Sequence, residues 1–370
     1  MRAALCEEYN QPLRVEEVDV QPPGSGEVLV KIAASGVCAS DLHAVEGHSG
    51  IVRLPLIPGH EGAGTLEEIG ADVTGLEVGD HVVIALYGPC GTCGSCRSGD
   101  IARCAGETRR NNMFGLMPDG STRLRRGDQT VHPMVGSGSL AEYAVVRQAQ
   151  VVKIDPDIPL DCACLAGCGV TTGIGAVLNT ARVEPGSSVV VIGCGGVGLN
   201  VVQGARIAGA ASILAVDTRP QKLELAARLG STDGLLAAKD TNLSKAIRAK
   251  IRGGADYAFE VVGHPDLVRQ AFASTRPAGT TVMVGAPPLK ADIAVDGQML
   301  FQDRRLLGCT GGLNVPQRDI SRIMALYKQG VLKLDELISQ RLPLSEVNQA
   351  FDALRKGDLA RTVILPGSGD

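Results

Sequence analysis

Between residues 187 and 286, short apolar runs alternate with amphipathic ones: SSVVVIG, LNVVQGARIAGA, SILAVD, PQKLELAARLG, ADYAFEVVG, PDLVRQAFAST and TTVMVGA. The apolar runs have the length and branching of strands buried on both faces, as in a parallel sheet. The runs between them read as helices; PQKLELAARLG is amphipathic and closes on Gly230. Strands joined through helices cross over with one hand, which leaves a doubly wound parallel sheet as the architecture.

The flanks have another texture. Up to about residue 160 the chain shows short strand-like segments (VLVKIAASG, TLEEIG, HVVIAL, AEYAVV) separated by Gly, Pro and Asp turns, with few helical patterns. After about residue 310, ISRIMALYKQG and LSEVNQAFDALRKG read as helices, TVILP as a last strand and GSGD as a loose end. The expected fold is α/β. A β-rich domain spans residues 1–165, the doubly wound domain 166–308, and the chain returns to the first domain over 309–370.

Within the doubly wound part, Gly193, Gly195, Gly196, Val197 and Gly198 belong to GCGGVG, a G-x-G-x-x-G turn directly after the strand VVVI and opening a helix. Asp217 ends the next strand, nineteen residues after Gly198. Glycines in that context let the backbone approach a pyrophosphate at a helix N-terminus, and the acid accepts from ribose hydroxyls. A carboxylate there repels a 2′-phosphate, so NAD is favoured over NADP, with Arg219 the one nearby residue that argues the other way. Lys222 joins the candidate cofactor residues.

Cys90, Cys93, Cys96 and Cys104 follow C-x2-C-x2-C-x7-C. One loop can wrap four such thiols around an ion, and all-sulfur tetrahedral coordination is that of structural zinc. A ferredoxin-type iron–sulfur run closes with a three-residue gap and a proline, absent here; a metal-free cluster is the bland alternative. Unpaired thiols at this spacing fit a reducing, cytoplasmic setting. No apolar stretch is long enough for a bilayer, and the N-terminus has no apolar core of a leader. A net charge of −4, no tryptophan and few aromatics exclude a base-stacking nucleic-acid surface.

The segments GVCASDLH, PGHEGAG, the cysteine quartet, GCGVTTG and GCGGVG occur in an order and spacing that resemble the zinc-containing medium-chain alcohol dehydrogenases over essentially the whole chain. The stretch between Cys104 and Tyr143 is similar to the liver-type and formaldehyde-dehydrogenase branches, which are dimers. The resemblance implies a GroES-like catalytic domain plus a Rossmann domain, two zinc ions per chain, NAD, a small alcohol or carbonyl substrate and a homo-oligomer, dimer before tetramer. It implies that Cys38, His60 and Cys168 hold a catalytic zinc, which composition and spacing alone do not assemble. By the same resemblance Glu61 is a carboxylate beside the metal and Asp41 orients His60. Ser40 and His43 relay the proton, Thr172 lies beside the nicotinamide and Arg361 on the pyrophosphate, while Cys162 and Cys164 are core residues rather than rival ligands.

Two departures qualify this picture. Ala39 stands where relatives often carry a basic residue against the pyrophosphate, which implies weaker cofactor binding or faster NADH release. By family position Leu86, Met134, Val135 and Ala286 line the substrate pocket; phenylalanine is common at the first two of these positions, so there is room for a secondary, branched or ring-bearing alcohol. The 46–56 stretch offers Glu46 but no aspartate of the kind the glutathione-adduct branch uses. The basic residues Arg109, Arg110, Arg123, Arg125 and Arg126 are a solvated surface or, alternatively, a receiver for an acidic, CoA-linked or thiol-adduct substrate. A non-catalytic relative is the remaining reading, with no lost ligand to mark it.

Overall fold

The computed structural model of the protein describes residues 1–50, 52–238, 241–357 and 359–368. The chain divides into two compact units, Met1–Cys168 with Val315–Asp370, and Gly169–Asn314.

In the second unit six parallel strands run in the order Asp233–Leu236, Ser212–Asp217, Ser188–Ile192, Ala255–Glu260, Thr275–Met283 and Arg305–Gly308. By chain position this is 3-2-1-4-5-6, the doubly wound arrangement whose direction reverses beside the first strand. Val189 and Val191 face one side with Phe259 and Val201, while Val190 and Ile192 face the other with Leu214 and Ile247. Burial on both faces is why these strands read as unbroken apolar runs. The helix expected from LNVVQGARIAGA forms as Gly196–Ile207, starting inside the glycine turn. The helix Pro220–Leu229 ends at Gly230, whose φ of 122° favours glycine. Two of the six strands, Asp233–Leu236 and Arg305–Gly308, escaped the sequence reading because they are short and half-exposed.

In the first unit the strand Glu27–Val37 is central. It pairs antiparallel with Glu61–Ile69, Tyr143–Arg147 and Arg361–Leu365; His81–Ile84, Val151–Lys153 and Ile338–Pro343 extend the sheet. Val28, Val30 and Ile32 alternate into a core with Leu66, Val82, Ile84 and Val146. The long segment after Cys104 is not bare loop: it carries the helix Glu107–Met113 and the hairpin Leu124–Arg126 with Gln129–Pro133. Residues 369 and 370 of the expected loose end lie outside the described residues. Among the described residues no single helix is long and apolar enough to cross a membrane.

Candidate active site and metal centres

Strand register builds the first cluster. Gly36 lies opposite Glu61, and Thr362 opposite Val37, so the ends of three strands bring Cys38, His60, Glu61 and Arg361 together. Gly36 is needed there because a Cβ would run into Glu61. Cys168 comes from the other side. Gly167 packs against the His60–Glu61 backbone, and the Leu86 N–H donates to its carbonyl at 2.9 Å. The ligand atoms of Cys38, His60, Glu61 and Cys168 all lie within 4.8 Å of one another, and all four residues are buried.

Asp41 fixes this cluster. It is fully buried in the first turn of the helix Ala39–Val45. Its Oδ2 accepts from the Cys38 N–H at 2.8 Å, and its Oδ1 accepts from the Gly59 N–H at 2.9 Å and from His60 Nδ1 at 2.8 Å. A carboxylate can only accept, so Nδ1 carries the proton and Nε2 points into the cluster. Nε2 is buried with no hydrogen bond of regular geometry; the two thiols are what it faces.

The four groups perturb one another strongly. A hydrogen bond from Cys168 holds the Cys38 thiol well below its ordinary value, and the same shared proton, with burial, keeps Cys168 well above. Burial works against a charged His60, but Asp41 and Cys168 outweigh it and raise its pKa well above the usual value. Burial also pushes the Glu61 carboxyl up to about 7, against the pull of Arg361. Two thiols and an imidazole nitrogen in this field are the donor set of an open zinc site.

Arg361, placed on the pyrophosphate by the sequence reading, is buried and ion-paired with Glu61 at 2.8 Å, with a second hydrogen bond to the Val37 carbonyl at 3.3 Å. Ser40 and His43 sit one turn apart on the exposed side of the helix Ala39–Val45, as does Ala39. Cys162 and Cys164 are buried outside the cluster.

The second cluster is local. The Sγ atoms of Cys90 and Cys96 are 3.9 Å apart, and those of Cys93 and Cys104 3.8 Å. A tetrahedron with zinc–sulfur bonds of about 2.3 Å has edges of about 3.8 Å. Backbone N–H groups of Thr92 and then Cys93 hold the Cys90 thiol down at about 6, while burial and the neighbouring thiols push Cys96 up to about 12. Thiols this close cannot all ionise without a cation between them. Gly106 closes over the group, and a Cβ there would strike Cys90 Sγ.

In the second unit, Gly193 has φ 93° and a Cβ on Gly198 would collide with its carbonyl, so the turn closes only with glycine at both positions. Asp217 accepts from the Cys194 N–H at 2.8 Å and the Arg219 N–H at 3.0 Å, which fixes its carboxylate at the strand end. A cleft of about 380 Å³ opens there, lined by Gly193, Asp217, Thr218, Val262, His264 and Leu267 among others. It sits outside the C-terminal strand ends at the reversal of strand order, the expected place for a dinucleotide. Lys222 is half-buried on the next helix, and Thr172 is buried on Gly169–Gly175.

Of the expected pocket residues, Met134 and Val135 border a small cavity with Leu56, Met113 and Phe114, and Leu86 packs in the same core. Val135 has φ 44°, a conformation a β-branched residue rarely adopts. Ala286 lies exposed in the second unit, its carbonyl against Gly263. Glu46 is ion-paired with Arg355. The basic stretch is largely engaged from within. Arg123 pairs with buried Glu27 and with Asp119, Arg126 with Glu7 and Glu16, and Arg109 stacks over Tyr87 and caps carbonyls. The sequence reading missed Tyr87 and Arg147; an arginine ending the otherwise apolar run YAVVR was the available signal for the second.

Residues 24–156 match the alcohol dehydrogenase GroES-like domain and residues 196–329 the zinc-binding dehydrogenase domain. The chain is 38% identical to an S-(hydroxymethyl)glutathione dehydrogenase of Synechocystis sp. over 98% of its own length and 99% of the relative's. It is 37% identical to the Saccharomyces cerevisiae protein of that name, over 98% and 95%. A crystal structure of an alcohol dehydrogenase zinc-binding domain protein from Burkholderia ambifaria superposes with a TM-score of 0.93 at 36% identity, covering 99% and 98%. Benzyl alcohol dehydrogenase from Acinetobacter calcoaceticus gives 0.92 at 34%, covering 98% of each chain. Identity at this level along nearly the full length, with both domains in order, makes the chain a member of the zinc-binding alcohol dehydrogenase family.

Proposed function

We propose that the protein moves a hydride between an alcohol and NAD, in either direction, with Cys38, His60 and Cys168 holding a catalytic zinc and Cys90, Cys93, Cys96 and Cys104 a structural one. The observation that carries this is the buried His60 Nε2 facing two thiols while Asp41 holds Nδ1. Zinc there supplies Lewis acidity toward an alcohol or carbonyl oxygen, and the nicotinamide supplies the hydride chemistry. The chain's own residues do the rest. Asp41 sets the His60 tautomer and ties Cys38 and Gly59 to it. Ser40 Oγ and the His43 ring pass the substrate proton outward. Thr172 lies beside the nicotinamide, the backbone at Gly193–Gly198 takes the pyrophosphate, Asp217 takes the adenosine ribose and Lys222 stands close by. Glu61 and Arg361 hold each other, so the carboxylate stands beside the metal donors with its charge offset by the guanidinium.

For the substrate, the apolar Leu86, Met134 and Val135 favour an aromatic, branched or secondary alcohol. The benzyl alcohol dehydrogenase likeness points the same way. A thiol-adduct substrate is the second reading, supported by the names of the curated relatives. Arg110 and Arg125 remain exposed for it. Zinc-loaded protein assayed for NAD reduction over primary, secondary and aromatic alcohols, acyl-CoA-linked alcohols and formaldehyde with glutathione separates them. We expect kcat/KM for the aromatic or branched alcohols to exceed that for the adduct by at least about tenfold, the scale of one or two misfitted groups. Preference for the adduct, with a salt-dependent KM lost in Arg125→Ala, would reverse the substrate reading; no turnover with both zinc ions bound would end the enzymatic one. A homodimer is the proposed assembly, to which exposed Leu289 and Phe301 offer apolar surface. The reduced thiols fit a cytoplasmic location.

A further inference from the structure

The quartet's loop is gripped by an arginine at each end. Arg147, the last residue of the strand Tyr143–Arg147, is only 6% exposed. Its guanidinium donates to the carbonyl of Gly88 at 3.0 Å and of Pro89 at 3.3 Å, the two residues that lead into Cys90. Its Nε is buried without a partner. At the exit end, half-buried Arg109 donates to the carbonyls of Ala102 at 3.1 Å and Cys104 at 2.9 Å. The same guanidinium lies 4.3 Å from the centre of the Tyr87 ring.

Neither arginine, among the described residues, forms an ion pair with a carboxylate. A buried guanidinium without a counter-charge is costly. Four thiolates around one divalent ion leave two net negative charges, and two arginines beside them restore neutrality. Main-chain hydrogen bonds at both ends also fix where the four sulfur atoms stand.

We infer that Arg147 and Arg109 are positioning residues for the quartet's metal, bracketing its loop and compensating the charge of the four-thiolate centre. The inference rests on the reading that the quartet holds zinc. It also links the two clusters. Tyr87 under Arg109 follows Leu86, whose N–H holds the carbonyl before Cys168.

The test follows zinc release from the loaded protein to a chromophoric chelator, with zinc per chain by mass spectrometry and activity decay recorded in parallel. Activity decay reports the Cys38–His60–Cys168 ion, so zinc that leaves on another time course is the quartet's. Arg147→Met is expected to release the quartet's zinc at least about tenfold faster than wild type, in line with the loss of a group that supports metal ligands. Arg147→Lys, which keeps the charge but not the fork, falls between the two, and Arg109→Met moves the same way by less. Wild-type release rates in both methionine variants would overturn the inference while leaving the zinc reading intact. If Arg147→Met does not fold, Arg109→Met on its half-exposed residue decides alone. A wild-type protein with a single zinc, lost in step with activity, would remove the quartet reading and this inference together.

Discussion

Asp41 shows how one side chain can set the donors of the proposed catalytic metal site without being one of them. Its two oxygens hold Cys38, Gly59 and His60, residues from two separate segments. Asp41→Asn keeps the shape but loses the charge and one accepting oxygen, so His60 loses its fixed tautomer and part of its basicity. Affinity for the catalytic zinc is expected to fall about 10–100-fold, as for other groups that orient histidine ligands. Dialysis against graded chelator, with activity and zinc followed together, measures it. Retention of zinc and activity at wild-type chelator concentrations would mean that packing alone orients His60. Such a residue is visible in the sequence only through the resemblance of GVCASDLH. The Glu61–Arg361 pair is a harder case. The residues lie 300 positions apart and meet because Thr362 happens to register with Val37 and Gly36 with Glu61. No spacing rule encodes that; only the family resemblance singles out Arg361, and it points to the cofactor rather than to Glu61.

Single elements were legible in proportion to their burial. Ser188–Ile192 and Ser212–Asp217 are buried on both faces and stood out as apolar runs, whereas the half-exposed edge strands did not. What aligns the strands is often polar. Asp256, next to the start of Ala255–Glu260, accepts from the N–H and the hydroxyl of Ser188, each at 2.7 Å, and pairs with Arg276 at 2.6 Å. This joins the first strand of the sheet to the fourth. Burial pushes the Asp256 carboxyl up, but the Ser188 hydrogen bonds and the Arg276 charge outweigh it and hold the carboxyl below its ordinary range. A depressed carboxyl adds stability in full above the unfolded value of about 3.9, and that addition disappears as pH falls through the lower folded value. Asp256→Asn is therefore expected to cost about 1–2 kcal/mol near neutral pH, the scale of hydrogen bonds to a partly exposed charge. The melting-temperature gap between wild type and variant should close between about pH 5 and pH 2. A gap that stays constant over that window would show that the charge is irrelevant and only the shape matters.

At the level of the molecule, the two cysteine-bearing clusters differ in layout as the proposed division of labour requires. The quartet spans fifteen residues of one loop and was readable from spacing alone. The other cluster draws on residues 38 to 168, and only strand pairing and the Gly167 contact assemble it. A site closed by four thiols has no place for substrate, so its zinc can act only through structure, whereas three ligands leave a position for chemistry. Two substitutions separate these roles. Cys93→Ser removes one arm of the tetrahedron on a loop that Arg147 and Arg109 hold from outside. It should lower zinc from about two to about one per chain and the melting temperature by more than about 5 °C, since metal binding free energy is folding free energy at such a site. Cys38→Ser sits where three sheet strands and Asp41 already define the backbone. It should leave the melting temperature within about 2 °C of wild type, because an oxygen replaces a sulfur with little change of volume, and abolish turnover. Calorimetry, zinc analysis and the NAD assay on the same preparations check both at once. A Cys93→Ser protein that melts with the wild type would sink the structural role of the quartet; a Cys38→Ser protein that still turns over would sink the catalytic role of the trio.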